Sequence, residues 1–138
     1  MADFTASTGF RDLLATSAEG YYYWVTLHDG TGGFVDGDTY AAGVRGELAT
    51  ANGYTQGGKA VSLTAASGVL DGANTTWPAS GGDIGPASWA ALWCATTNDI
   101  TGAVLTTAKD SSGDPQTATD GNTMTVNIVD PITIPTPA

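Results

Sequence analysis

The sequence predicts an all-β fold: an antiparallel β-sandwich or jelly roll with one short N-terminal helix and an extended C-terminal arm. Three observations carry the prediction. Apolar and polar residues alternate over several short runs, which is the period of a half-buried strand. Turn residues interrupt those runs about every ten residues. They are supplied by 19 Gly and 6 Pro and by acids that are Asp except at Glu19 and Glu47, Asp being a residue of turns and caps. Helical spacing is confined to one stretch, Phe10 to Ala18, with Phe10, Leu13, Leu14 and Ala18 on one face.

Taken in order, Thr8 offers an N-cap to that helix and Gly20 a left-handed C-cap. The period then changes. From Tyr21 to Leu27 one row is Tyr21, Tyr23, Val25 and Leu27 and the other is Tyr22, Trp24 and Thr26, the strongest strand signal in the chain. His28 to Tyr40 is rich in Gly and Asp and reads as an exposed loop with a short strand around Phe34. Strands follow at Lys59 to Ala65 and Thr75 to Ala79, separated by an Asp71-Gly72 turn. Ser88 to Thr96 is apolar on both faces and suits a central strand, although a short buried helix has the same pattern. A weaker strand at Val104 to Thr107, a polar loop from Lys109 to Asn122 and a closing strand from Met124 to Val129 complete the body. Pro131, Pro135 and Pro137 make the remainder extended and poor in ladder donors. Three segments result: residues 1–19 with the helix, a β-sandwich domain over 20–129, and a Pro-rich arm over 130–138.

A hydrophobic fraction of 41% supports a core in spite of only 13% charged residues. Fourteen acids against four bases give a net charge of -10. The bases Arg11, Arg45, Lys59 and Lys109 are scattered, so no basic stripe exists for nucleic acid or for an anionic membrane surface. The start of the chain lacks the pattern of a signal peptide and no run reaches the roughly 18 apolar residues of a membrane span. A soluble protein made in a cytoplasm is expected, and neither nucleic acid nor membrane as a partner.

Each candidate site has a simpler explanation. Gly53-Tyr54-Thr55-Gln56-Gly57-Gly58-Lys59 has the spacing of a phosphate loop. Ala60 stands where that loop needs Ser or Thr, and a strand follows where it needs a helix, so a chain-reversing connector is expected. His28 and Asp29 are neighbours whose side chains diverge, which does not make a triad. His28 is therefore placed at the surface. Cys94 lies in the most apolar run, without a cation to activate it, and reads as a small core residue. Asp29, Asp36 and Asp38 fit acidic turns better than a calcium loop. Asn74-Thr75-Thr76 matches a glycosylation triplet, a pattern common by chance. No catalytic residue, metal or cofactor is expected. The aromatics are the remaining signal: aromatic rows could stack sugar rings, through Trp or Tyr side chains such as Trp77, but rows along a strand are more often core, so one row of the first strand is assigned to the core, which leaves Tyr22 and Trp24 for a partner surface.

Four stretches then belong together: Tyr22-Tyr23-Trp24-Val25-Thr26-Leu27, the connector from Gly53 to Val61, Thr76-Trp77-Pro78-Ala79-Ser80, and Trp89-Ala90-Ala91-Leu92-Trp93. In order and spacing they resemble a family of small virion structural proteins of tailed bacteriophages, with the connector as the most specific element. The resemblance spans residues 20 to 107, and departs from the family pattern at Pro78 and in a longer loop before Trp89. It implies a non-enzymatic capsid decoration or cement protein with a jelly-roll-like fold. Such a protein would be a homo-oligomer on the outside of the head that stabilises the shell by bridging subunits of the major capsid protein. The alternative is a tail or baseplate module that binds glycan. The arm, with Pro131, Ile132, Ile134 and Pro135, is the second expected partner-binding element, because proline limits the entropy lost on docking.

Overall fold

A computed structural model describes residues 17–30, 33–66, 69–111, 113–128 and 132–133. It is mostly β, built from antiparallel sheets. The strands are β1 (Tyr22–His28), β2 (Lys59–Val61), β3 (Thr64–Ala66), β4 (Val69–Asp71), β5 (Thr75–Pro78) and β6 (Ile84–Ala87), followed by β7 (Trp89–Ala95), β8 (Val104–Asp110), β9 (Gln116–Ala118), β10 (Thr123–Val126) and β11 (Ile132–Thr133). One four-stranded sheet has the order β2-β1-β7-β8; the others are β10-β5, β11-β4-β3 and β6-β9.

The β1–β7 pair is the axis of the molecule, in register along its whole length from Tyr22↔Ala95 to His28↔Trp89. Alternation sends its side chains to two faces, and both are covered. Tyr23, Val25 and Leu27 join Leu92 in the main core, where Leu70, Trp77, Ile84, Ala118 and Met124 arrive from the other three sheets. Trp24, Ala91 and Trp93 point the other way into a second cluster with Tyr40 and Ala103. Burial on both faces is what the apolar Ser88 to Thr96 run demands, and β7 is the inner strand expected there.

Several boundaries differ from the sequence expectation. The run from Lys59 to Ala65 divides into β2 and β3, which pair with different partners, β1 and β4. β6 holds Pro86 and a register shift against β9, so its pattern is not that of a regular strand. β8 continues to Asp110 and β9 lies inside the stretch expected to be a polar loop. Phe34 is in no strand; its ring packs edge-on to His28, with centroids 4.9 Å apart, and against Trp89 and Trp93.

Of the expected first helix, only residues 17–19 are among those described, and they are helical. Gly20 closes that turn with its amide on the Ser17 carbonyl at 3.3 Å, without the positive φ of a left-handed cap. At the other end Ile132 and Thr133 are not free of the body. They pair with Leu70 and Val69 and extend the β3-β4 sheet.

Candidate functional site

The connector is a built structure centred on a buried carboxylate. Glu47, 7% exposed, is reached by four donors from two segments, residues 40–43 and 54–57. Its Oε1 accepts from the Tyr54 hydroxyl at 2.8 Å and the Gly57 amide at 2.7 Å. Its Oε2 accepts from the Tyr40 hydroxyl at 2.7 Å and the Gly43 amide at 3.2 Å. The Tyr54 oxygen in turn accepts from the Leu27 amide at 3.1 Å, which ties the arrangement to β1. Burial, joined by the nearby Glu47 charge, pushes the Tyr40 and Tyr54 hydroxyls well above the ordinary phenol range, so both remain donors. Two glycines let the backbone close in. A Cβ on Gly58, at φ +63, would sit 1.8 Å from the Val25 carbonyl oxygen, and one on Gly53 would sit 2.3 Å from that of Pro78. The Gly and Tyr positions of the motif are thus fixed by packing, and the expected connector is what the segment forms.

Beside it lies a second buried chain of polar groups. His28 is fully buried, where a surface position was expected. Its Nδ1 faces the carbonyls of Val44 at 3.1 Å and Arg45 at 3.3 Å, which assigns the ring proton to that nitrogen. Nε2 then accepts from the Thr26 hydroxyl at 2.6 Å, and Thr26 Oγ1 accepts from the Trp93 indole N–H at 2.8 Å. Every polar atom of this chain has a partner. Burial pushes His28 below its ordinary value, with the Glu47 and Asp29 charges opposing. A hydroxyl hydrogen-bonded to an imidazole nitrogen is the arrangement of a nucleophile and its base. Thr26 and His28 are both 0% exposed, however, and the other ring nitrogen meets backbone carbonyls in place of an orienting carboxylate. The pair is a structural clasp that no substrate reaches in this conformation.

Other candidates resolve locally. Asp38 holds Arg45 through two bonds, at 2.7 and 2.9 Å, and also accepts from the Val35 amide at 3.0 Å. Cys94 is half-buried against the main core, and burial pushes its thiol up. Among the described residues no group of three or more His, Cys, Asp or Glu is placed to hold a metal ion. No helix among them is long and apolar enough to cross a membrane.

The expected partner surface is changed by the structure. Trp24 is only 8% exposed and belongs to the second core cluster with Tyr40, Ala91, Trp93 and Ala103. Trp77 is 1% exposed and packs against Tyr54, so it offers no face to a glycan. Tyr22 is 44% exposed, with its ring 28° from parallel to Trp24 and the centroids 6.5 Å apart. Tyr21 and Val104 accompany it, and these three with Val35 are the exposed large hydrophobics among the described residues. The parity of Tyr21 with Tyr23 predicts a core position, but Tyr21 stands before the first residue of β1 and is 47% exposed. Pro131, Ile134 and Pro135 lie outside the described residues; Ile132 is described only through its pairing with Leu70. Comparison of the chain with protein-family models, with curated proteins and with solved structures finds no match.

Proposed function

We propose that this chain is a non-enzymatic coat component of a tailed phage. In this reading it is a decoration or cement protein that binds the outside of the head as a homo-oligomer and bridges major capsid subunits. Its sheets pack as a β-sandwich of jelly-roll type, and of the expected arm over 130–138 the part after Thr133 serves as the reaching element, since Ile132 and Thr133 belong to the sheet. The observation that carries the reading is the connector. Gly53, Tyr54, Gly57 and Gly58 are the residues on which the resemblance to virion proteins chiefly rests, and each has a packing or hydrogen-bonding task here. A motif whose positions are demanded by close packing is a better sign of shared architecture than one of free loop residues. The closed Thr26–His28 pair agrees with a role that needs rigidity and no turnover.

A cement protein gains affinity by repetition: several weak contacts on adjacent subunits multiply when the copies are linked. The arm would leave the body at the β4 edge, where Ile132 and Thr133 pair. The test is cosedimentation with empty shells of the phage that encodes the chain, comparing the full chain with one ending at residue 133, which keeps the strand paired with β4. Full-length protein is expected on the shells, and the truncated protein at reduced occupancy with unchanged folding. Equal occupancy would remove the arm from the account, and absence of the full chain from the shells would contradict the reading.

A further inference from the structure

Where β8, the outer strand of the four-stranded sheet, faces the end of β10, the β body carries a groove of about 230 Å³. Val25, Leu92 and Ile128 line it and are members of the main core, and Ala90 and Val126, also in its walls, pack against that core. The groove is thus a gap in the side of the apolar interior. Lys109 is the one charged residue in its described lining, and the ammonium is turned to the Asn127 carbonyl at 3.4 Å. A second groove of about 200 Å³ adjoins it, sharing Ala90, Lys109, Val126 and Asn127. Apolar surface left open in this way calls for an apolar cover.

The chain itself holds a candidate. Residues 1–16 precede Ser17, the first described residue, and they include Phe10, Leu13 and Leu14. Ala18 marks where this segment meets the body: it packs against the main core, and its carbonyl accepts from the Tyr23 hydroxyl at 2.7 Å. Residues 17–19 are helical, and continuing their phase backwards puts Leu14 one turn and Phe10 about two turns before Ala18, toward the same side. The distance is short. Val25, in the near wall of the groove, is two residues along β1 from Tyr23 and on the same face, a separation of about 7 Å. A helix from Phe10 to Ala18 spans about 12 Å, which is enough to lay the apolar side chains over the groove. Other occupants fit less well. A second copy brings another net charge of -10, and a basic partner finds no carboxylate in the lining of the first groove.

We propose that the groove between β8 and β10 is the docking site of the chain's own N-terminal segment, with Phe10, Leu13 and Leu14 closing the core wall that Val25, Leu92 and Ile128 leave open. The segment is then part of the body and not a second reaching arm, and this holds whether or not the chain binds shells. The test is nuclear Overhauser spectroscopy on the full chain, using a mixture of isotope-labelled and unlabelled copies to separate contacts within a chain from contacts between chains. Contacts are expected within one chain, from the Phe10 ring and the Leu14 methyl groups to the methyl groups of Val25, Leu92 and Ile128. Phe10→Ala and Leu14→Ala should each lower the thermal midpoint by about 5 °C. Absence of those contacts in the folded full chain would overturn the proposal. Contacts found only between labelled and unlabelled copies would do the same, by making a second copy the occupant. It would equally fall if both variants kept the midpoint of the parent.

Discussion

Glu47 stands in a buried position with four donors aimed at it, and the cost of losing it follows from those donors. Glu47→Ala leaves two phenols and two amides without an acceptor, each worth about 1–3 kcal/mol when buried and unpaired. A loss of at least about 3 kcal/mol is expected in urea unfolding, with a smaller loss for Glu47→Gln, which keeps one acceptor oxygen. Equal stability of Glu47→Ala and the parent would refute the hub. His28 gives a pH dependence whose sign is fixed by the direction of its shift. Its folded value lies below the unfolded value of 6.5, so the unfolded chain binds the proton first. The associated stability is complete above about pH 6.5 and is lost as the pH falls toward the folded value. Protonation also asks Nε2 to donate to an oxygen that already accepts from Trp93. The urea midpoint is expected to decline between about pH 6.5 and 5, above the range in which the Asp38–Arg45 pair titrates, and a flat profile there would contradict the buried neutral assignment. Thr26→Val keeps the volume but orphans the Trp93 N–H and the His28 nitrogen, and about 1–3 kcal/mol should be lost in the same measurement.

At the scale of elements the connector makes the sharpest demand. Gly58→Ala places a methyl group against the Val25 carbonyl of the neighbouring strand in a left-handed conformation, whereas Gly37, also at positive φ, has nothing within 4 Å of its Cβ position. A loss above about 3 kcal/mol is expected for Gly58→Ala and about 1 kcal/mol for Gly37→Ala, compared by thermal unfolding. Similar losses would mean that close approach is not what Gly58 provides. The sequence made β1, β7, β5 and the glycine connector legible, because alternation, apolar runs and turn residues are local signals. It did not reveal the division of β2 from β3, since continuous alternation over Lys59 to Ala65 carries no mark of a change of partner. β6 and β9 were hidden by Pro86 and by polar composition. The clasp was missed for a related reason: His28 looked like a strand end entering a loop, and Phe34 together with the backbone of Val44 and Arg45 closes over it. One signal was present. Glu47 is one of two Glu in a chain of Asp turns, and a Glu flanked by Tyr40 and Tyr54 in a low-charge sequence is a candidate for a buried acceptor. For the surface, parity along β1 could not show that Trp24 is covered while Tyr21 and Tyr22 are open, because the cover comes from residues distant in sequence.

The whole molecule is a β body stiffened on both sides of the β1–β7 pair, by an apolar core on one face and by an aromatic and hydrogen-bonded cluster on the other. Among the described residues the Asp side chains lie in turns, loops and strand ends, and the chain carries a net charge of -10. An acidic coat of this kind is compatible with the outside of a shell and is repelled by packaged nucleic acid. The proposed attachment through the arm, without an ionic contact, predicts that binding to shells survives added salt. Sedimentation at about 0.1 M and about 1 M salt checks this, since screening at the higher concentration removes most long-range charge attraction. A steep loss of occupancy would point to ionic attachment. The most direct measurement is electron microscopy of the native particle at a resolution that separates this chain from the major capsid protein. Density for the β body on the outer wall, repeated at symmetry-related sites between capsid subunits, is the predicted result; density on the inner wall, or confined to the tail, would contradict the account.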